Sequence, residues 1–205
     1  ARLGYSRFRL VGHDRGARVA YRMALDAAEA VERLAVLDIV PTGALWRDFG
    51  PERGLAFWHW TFLAQPAPLP ERLIGHDPVG FLDRLVARWT KAGDLSAFDA
   101  RALDACHRFF AEPARVHATC EDYRAGAGID RAHDEATLSA GIRIAAPTLV
   151  LWGDTDFAGQ KRSPLDVFSQ WCADATGFPV DAGHFLAEEN PRDTIARLMP
   201  FLAGD

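Results

Sequence analysis

Phe8-Arg9-Leu10-Val11-Gly12-His13-Asp14-Arg15-Gly16-Ala17-Arg18 is the stretch on which the fold turns. Its first five residues read as a short buried strand ending in a glycine. From Arg15 to about Glu29 the pattern becomes helical, with Val19, Met23 and Ala27 four apart. A strand that passes into a helix this quickly needs a sharp bend. Gly12-x-Asp14-x-Gly16 supplies one: flanking glycines suit a turn too tight for bulky neighbours, and the turn pushes the middle side chain into the open. That side chain is a carboxylate. It could serve as a plain helix N-cap, but at a bend of this kind it suits displacement at carbon, where it attacks an alkyl centre and leaves an ester that water can cleave.

Downstream, Leu34-Ala35-Val36-Leu37-Asp38-Ile39 is a second apolar strand, stopped by Pro41. Two strands joined by one helix form a βαβ unit, which implies a parallel sheet with a right-handed crossover. Residues 44–136 differ. They are rich in aromatics, carry the break Gln65-Pro66-Ala67-Pro68-Leu69-Pro70, and show helical patterns around 78–91 and 97–111 without a convincing strand. Sheet-type sequence returns at Pro147–Gly153, followed by a helix near 165–175, a short strand at Phe178–Val180, Gly183-His184 and an amphipathic helix over 191–203. The reading is an α/β fold, a doubly wound and mostly parallel sheet, with core residues 1–43, a helical cap at 44–136 and core again at 137–205.

With 205 residues, 49% hydrophobic and 25% charged, the composition is that of a globular protein. The net charge of −5 and the lack of a basic stripe speak against nucleic acid. Cys106, Cys120 and Cys172 lie far apart without metal-ligand spacing, which suggests reduced thiols and a cytoplasmic setting. No apolar run approaches the roughly 18 residues of a membrane span, and no basic-then-apolar leader is visible.

Three further sets of residues carry chemistry. His184, after a late short strand, stands where a general base follows such a nucleophile in chain order. A base of this kind needs a carboxylate to fix its tautomer; Asp38, at the end of the second strand, and Asp154 with Asp156, after the 149–152 strand, are both placed to supply it. Arg15 and Arg18 are three apart on the first helical turn and share a face. Next to a helix N-terminus, two guanidinium groups suit a carboxylate substrate better than a neutral one.

Together these motifs resemble the fluoroacetate (haloacetate) dehalogenase family of the α/β-hydrolase fold. The matching stretches are Gly12–Arg18, Val36-Leu37-Asp38-Ile39-Val40-Pro41-Thr42, Trp58-His59-Trp60, Cys120-Glu121-Asp122-Tyr123-Arg124-Ala125-Gly126-Ala127 and Gly183-His184-Phe185-Leu186. The resemblance implies Asp14 as nucleophile, His184 as the base that activates water, Asp38 as its acid, and Arg15 with Arg18 on the substrate carboxylate. It also implies that His59, Trp60 and Tyr123 donate to the departing halide in a small pocket. The substrate would be a small haloacid, with no metal or organic cofactor, and the full-length protein a homodimer. Relatives of this kind run longer and place several strands and an oxyanion loop ahead of the elbow. With thirteen residues before Asp14, the chain is therefore expected to lack its first strands and to be inactive alone. Two other readings stand beside this one: epoxide hydrolysis by the same Asp and His, with Tyr123 as proton donor, and a silent fragment that keeps the pocket.

Overall fold

In the computed structural model, which describes residues 4–155 and 162–204, the apolar runs become β1 (Phe8–His13), β2 (Val31–Leu37), β3 (Thr148–Gly153) and β4 (Ala175–Val180). All pair in parallel, in the order β1-β2-β3-β4, with Val36 set between Gly12 and Val150. The middle strands are covered on both faces. Leu34, Ala35 and Val36 are fully buried, which is why β2 reads as a continuous apolar run rather than an alternating one.

Helix α1 (Asp14–Asp26) connects β1 to β2. Between β2 and β3 come α2 (Thr42–Arg47), α3 (Pro51–Ala56), α4 (Trp58–Leu63), α5 (Leu69–Ile74), α6 (Pro78–Trp89), α7 (Ala100–Phe110), α8 (Pro113–Ala127) and α9 (Ile129–Ser139), with no strand among the described residues. The chain ends with α10 (Pro164–Phe168) before β4, then α11 (Leu186–Glu189) and α12 (Pro191–Ala203).

One sheet face presents Leu34, Val36 and Val150 to Ala17, Ala20, Tyr21 and Ala24 of α1 and to Phe168 and Trp171. The other presents Ala35, Leu37, Leu149 and Leu151 to Leu186, with Leu198 and Phe201 of α12 packed alongside. Helices thus cover both faces, as a doubly wound sheet requires. The helices between β2 and β3 have an apolar core of their own, built from residues such as Leu45, Phe57, Trp60, Leu63, Ile74 and Cys120. They are tied to α1 through Asp134, wholly buried, which accepts from Tyr21 Oη and Gly43 N at 2.8 Å each.

Some element ends differ from the sequence expectation. β2 starts earlier, at Val31, and stops at Leu37, because Asp38 leaves the strand at φ 52°. α10 stops at Phe168 instead of running to 175. Trp171 N turns back onto Phe168 O (2.8 Å), and Cys172 pairs with Ile144 in an isolated parallel bridge. No helix of the described residues is long and apolar enough to cross a membrane.

Candidate active site

The site begins where β1 becomes α1. A Cβ on Gly12 would lie 2.6 Å from the Ala17 backbone, so only glycine lets the first helical turn fold back onto the strand. Asp14 follows in left-handed backbone, φ 47°, a conformation that most side-chain-bearing residues avoid and that aspartate tolerates better than most. Gly16 differs: a Cβ there meets nothing within 4 Å among the described residues. The tightness expected of both glycines applies to Gly12 only.

Asp14 Oδ2 lies 3.7 Å from His184 Nε2. On the opposite side of the ring, Nδ1 meets Asp38 Oδ2 at 2.6 Å, so that this nitrogen donates. Asp38 is buried, and its second oxygen accepts from Gly153 N at 2.9 Å. Of the carboxylates weighed in the sequence, Asp38 is the one that meets the ring. Asp154 turns away to Lys91 Nζ (2.6 Å), and Asp156 lies outside the described residues.

Burial works against the charged form of His184, but the carboxylates of Asp14 and Asp38 overcome it and push its pKa up to about 10. Asp14 is the mirror image. Its side chain keeps 42% of its surface open, yet that surface lines a cavity walled by protein. Burial opposes ionisation there, and His184, with Arg18 and His13 behind it, holds the carboxyl well below the usual range.

Arg15 and Arg18 stand on the same cavity wall. Arg15 bonds Asp122 through Nε and donates from Nη2 to the Asp122 carbonyl (3.0 Å); its plane lies over Tyr123, 4.6 Å from the ring centre. Arg18 donates from Nη1 to Val40 O (3.0 Å) and Thr42 Oγ1 (3.1 Å) and sits 4.5 Å over Trp60. Both guanidiniums are therefore fixed in place, and each keeps a buried nitrogen without a hydrogen-bond partner among the described residues, Nη1 of Arg15 and Nε of Arg18. Burial and the neighbouring Arg15 push the Arg18 pKa down, which makes the pair receptive to an anion.

His59, Trp60 and Tyr123 line the same cavity. The Trp60 and His59 rings meet Tyr123 edge-on at 5.4 and 5.8 Å. Burial lowers His59 to about 4, so it is a neutral ring, and its Nδ1 is another buried atom without a hydrogen-bond partner among the described residues.

The cavity is open on one side and measures about 580 Å³, larger than the small pocket expected from sequence. Beyond the polar end it is walled by Leu82, Leu85, Val86, Phe109 and Phe110, more room than a haloacetate fills. Three supporting residues carry no local sequence signal of their role. Asp122 orients Arg15; His13 Nε2 bonds the His184 carbonyl (2.7 Å); Glu189 binds the loop that carries His184. Asp122 and His13 lay inside quoted motifs, but their partners are distant in sequence.

A model of the alpha/beta hydrolase fold matches residues 1–191. The chain is 39% identical over 204 residues to a fluoroacetate dehalogenase of Burkholderia sp, covering 98% of this chain and 65% of that one. It is 27% identical to a soluble epoxide hydrolase of Corynebacterium sp. (strain C12), covering 98% and 68%. A crystal structure of a candidate alpha/beta hydrolase from Nostoc sp PCC 7120 superposes with a TM-score of 0.94 at 45% identity, covering 100% of this chain and 69% of that one. The chain thus spans less than two thirds of the length of the dehalogenase it resembles.

Proposed function

The chain belongs to the alpha/beta hydrolase fold family, and from that membership we propose that it hydrolyses the carbon–halogen bond of a small haloacid through an ester on Asp14. The observation that carries this reading is one cavity wall. It holds a carboxylate 3.7 Å from an imidazole and two anchored guanidiniums, each with a free N–H nitrogen.

Arg15 and Arg18 hold the substrate carboxylate, which places the α-carbon against Asp14 Oδ for in-line attack. The carbon–halogen pair of electrons leaves with the halide, and His59, Trp60 and Tyr123 stabilise the charge as it develops. The new ester is neutral at Asp14. One of the two carboxylates that keep His184 protonated is then gone, so His184 can release its proton to solvent, where it accompanies the halide, and become a base when a base is needed. It takes a proton from water, and the resulting hydroxide attacks the ester carbonyl. The backbone N–H of Arg15 is the donor assigned to the oxyanion. As it collapses, the acyl–oxygen bond to the substrate breaks and the leaving alkoxide takes the proton held by His184. The Asp14 carboxyl returns its proton to His184, leaving the carboxylate and a hydroxyacid. Helices α2–α9 act as the cap that excludes bulk water.

Resemblance to the soluble epoxide hydrolase and the generous cavity favour a second reading, ring opening of an epoxide. Tyr123 is the sole tyrosine on the cavity wall among the described residues. Tyr21 is engaged with Asp134 and Tyr5 is exposed, so no second phenol faces the cavity among the described residues. Parallel assays of halide release from fluoroacetate and diol formation from styrene oxide separate the two. Under the dehalogenase reading Asp14→Asn abolishes halide release, and His184→Asn accumulates the ester. Single-turnover hydrolysis in heavy-oxygen water that leaves no label on Asp14 defeats this route.

A further inference from the structure

The loop that presents His184 is held by a carboxylate that never reaches the cavity. Glu189, the last residue of α11, folds back on that loop. Its Oε2 accepts from Gly183 N (3.0 Å) and its Oε1 from Phe185 N (3.0 Å), the two residues flanking the imidazole. The intervening N–H, that of His184, donates to Trp89 O (2.8 Å) at the end of α6. Three successive backbone donors are therefore committed, two to Glu189 and one to the helical segment across the site.

The same Oε2 also accepts from Lys91 N (2.6 Å). One carboxylate thus gathers the base loop and the chain leaving α6. The contact is intimate: a Cβ on Gly183 would lie 2.5 Å from Lys91 N and 2.6 Å from Trp89 O, so glycine is needed for the two backbones to touch. Trp89 itself lines the cavity. A charged acceptor shared by three N–H groups is stronger than three neutral contacts, and among the described residues Glu189 is the acceptor for both Gly183 N and Phe185 N.

We propose that Glu189 is a positioning residue for the general base: it sets the height and tilt of His184 between Asp14 and Asp38 and fixes the cavity wall at Trp89 to that setting. It touches no reacting atom and works through His184, so the proposal rests on the ester route above. Nucleophilic attack needs Asp14, Arg15 and Arg18, which Glu189 does not contact. Water activation needs the imidazole aimed to within a fraction of an ångström. Loss of Glu189 therefore falls on the second step.

The test compares Glu189→Gln and Glu189→Ala with the parent protein, using haloacetate as probe. Rapid-quench measurement gives the halide burst and mass spectrometry follows the Asp14 ester. Proton spectra follow the His184 Nδ1–H that is bonded to Asp38. The expected result is a burst within about threefold of the parent and ester hydrolysis slowed by about tenfold or more, so that ester accumulates. The His184 signal broadens or disappears in both variants. A general weakening of the fold would instead reduce burst and hydrolysis by one common factor, and that result overturns the proposal. So does ester hydrolysis within about twofold of the parent, or a His184 signal unchanged in Glu189→Gln. If Glu189→Ala fails to fold, Glu189→Gln decides. If the parent forms no ester at all, the ester route fails, while the proton signal still reports whether Glu189 positions the ring.

Discussion

His184 is the residue on which most of the site's electrostatics converge, since it bridges a carboxylate at each ring nitrogen. Held up to about 10 from an ordinary 6.5, it is cationic at neutral pH in the free protein. A pKa raised on folding means that the stability gained from charging is complete below 6.5. It is lost as pH rises through about 10. Asp14→Asn removes one of the two raising charges, so the His184 titration followed by NMR moves down. Thermal melts of the variant then lose less stability than the parent across the 6.5 to 10 interval. A titration that stays put would mean that the proximity of Asp14 and His184 has no energetic weight. Asp14 and His184 were readable in sequence because each sits in a short local motif whose glycine dictates backbone shape. Asp38 could not be separated from Asp154 by residue type or strand position alone. What separates them is which carboxylate meets the ring and which meets Lys91.

At the level of elements, the strand-to-helix passage is the feature most sharply dictated by local chemistry. Gly12→Ala would force its methyl into the Ala17 backbone, 2.6 Å away, where no flexible side chain can yield. The expected cost is about 1–3 kcal/mol or more, read from denaturant midpoints, together with loss of activity as Asp14 is displaced. A variant as stable as the parent would show that the bend has slack. The order of strands and helices was legible because apolar period and Gly/Pro punctuation differ between the two. The end of α10 was not: amphipathic pattern continues past Phe168, but the chain is captured by the bridge between Cys172 and Ile144, a partner 28 positions upstream that no local window contains. Asp122 on Arg15, 107 residues away, and Glu189 on Lys91, 98 residues away, escaped for the same reason. Such pairs are created by packing and leave no spacing in the chain. Cavity size escaped too, since the residues of α6 and α7 that line it read simply as apolar helix faces.

For the molecule as a whole, the candidate site draws on residues far apart in the chain. The sheet ends bring Asp14, Asp38 and His184 together, and the helices between β2 and β3 lower His59, Trp60 and Tyr123 over them. The guanidinium nitrogens of Arg15 and Arg18 that no group among the described residues satisfies have a consequence for handling. Removed from water and unmatched, they make the empty protein less stable than the same protein with any fitting counter-ion in place. Acetate, glycolate or another short monocarboxylate should raise the melting temperature in a saturable way, by RT ln(1 + [L]/Kd) in free energy, and compete with the haloacid. The rise should vanish in Arg18→Leu, and a flat response in the parent would mean that the arginines do not form an anion seat. Buffer choice then becomes part of the measurement: a preparation kept in acetate would look robust and sluggish, and the same protein in an uncharged buffer would be more fragile and faster.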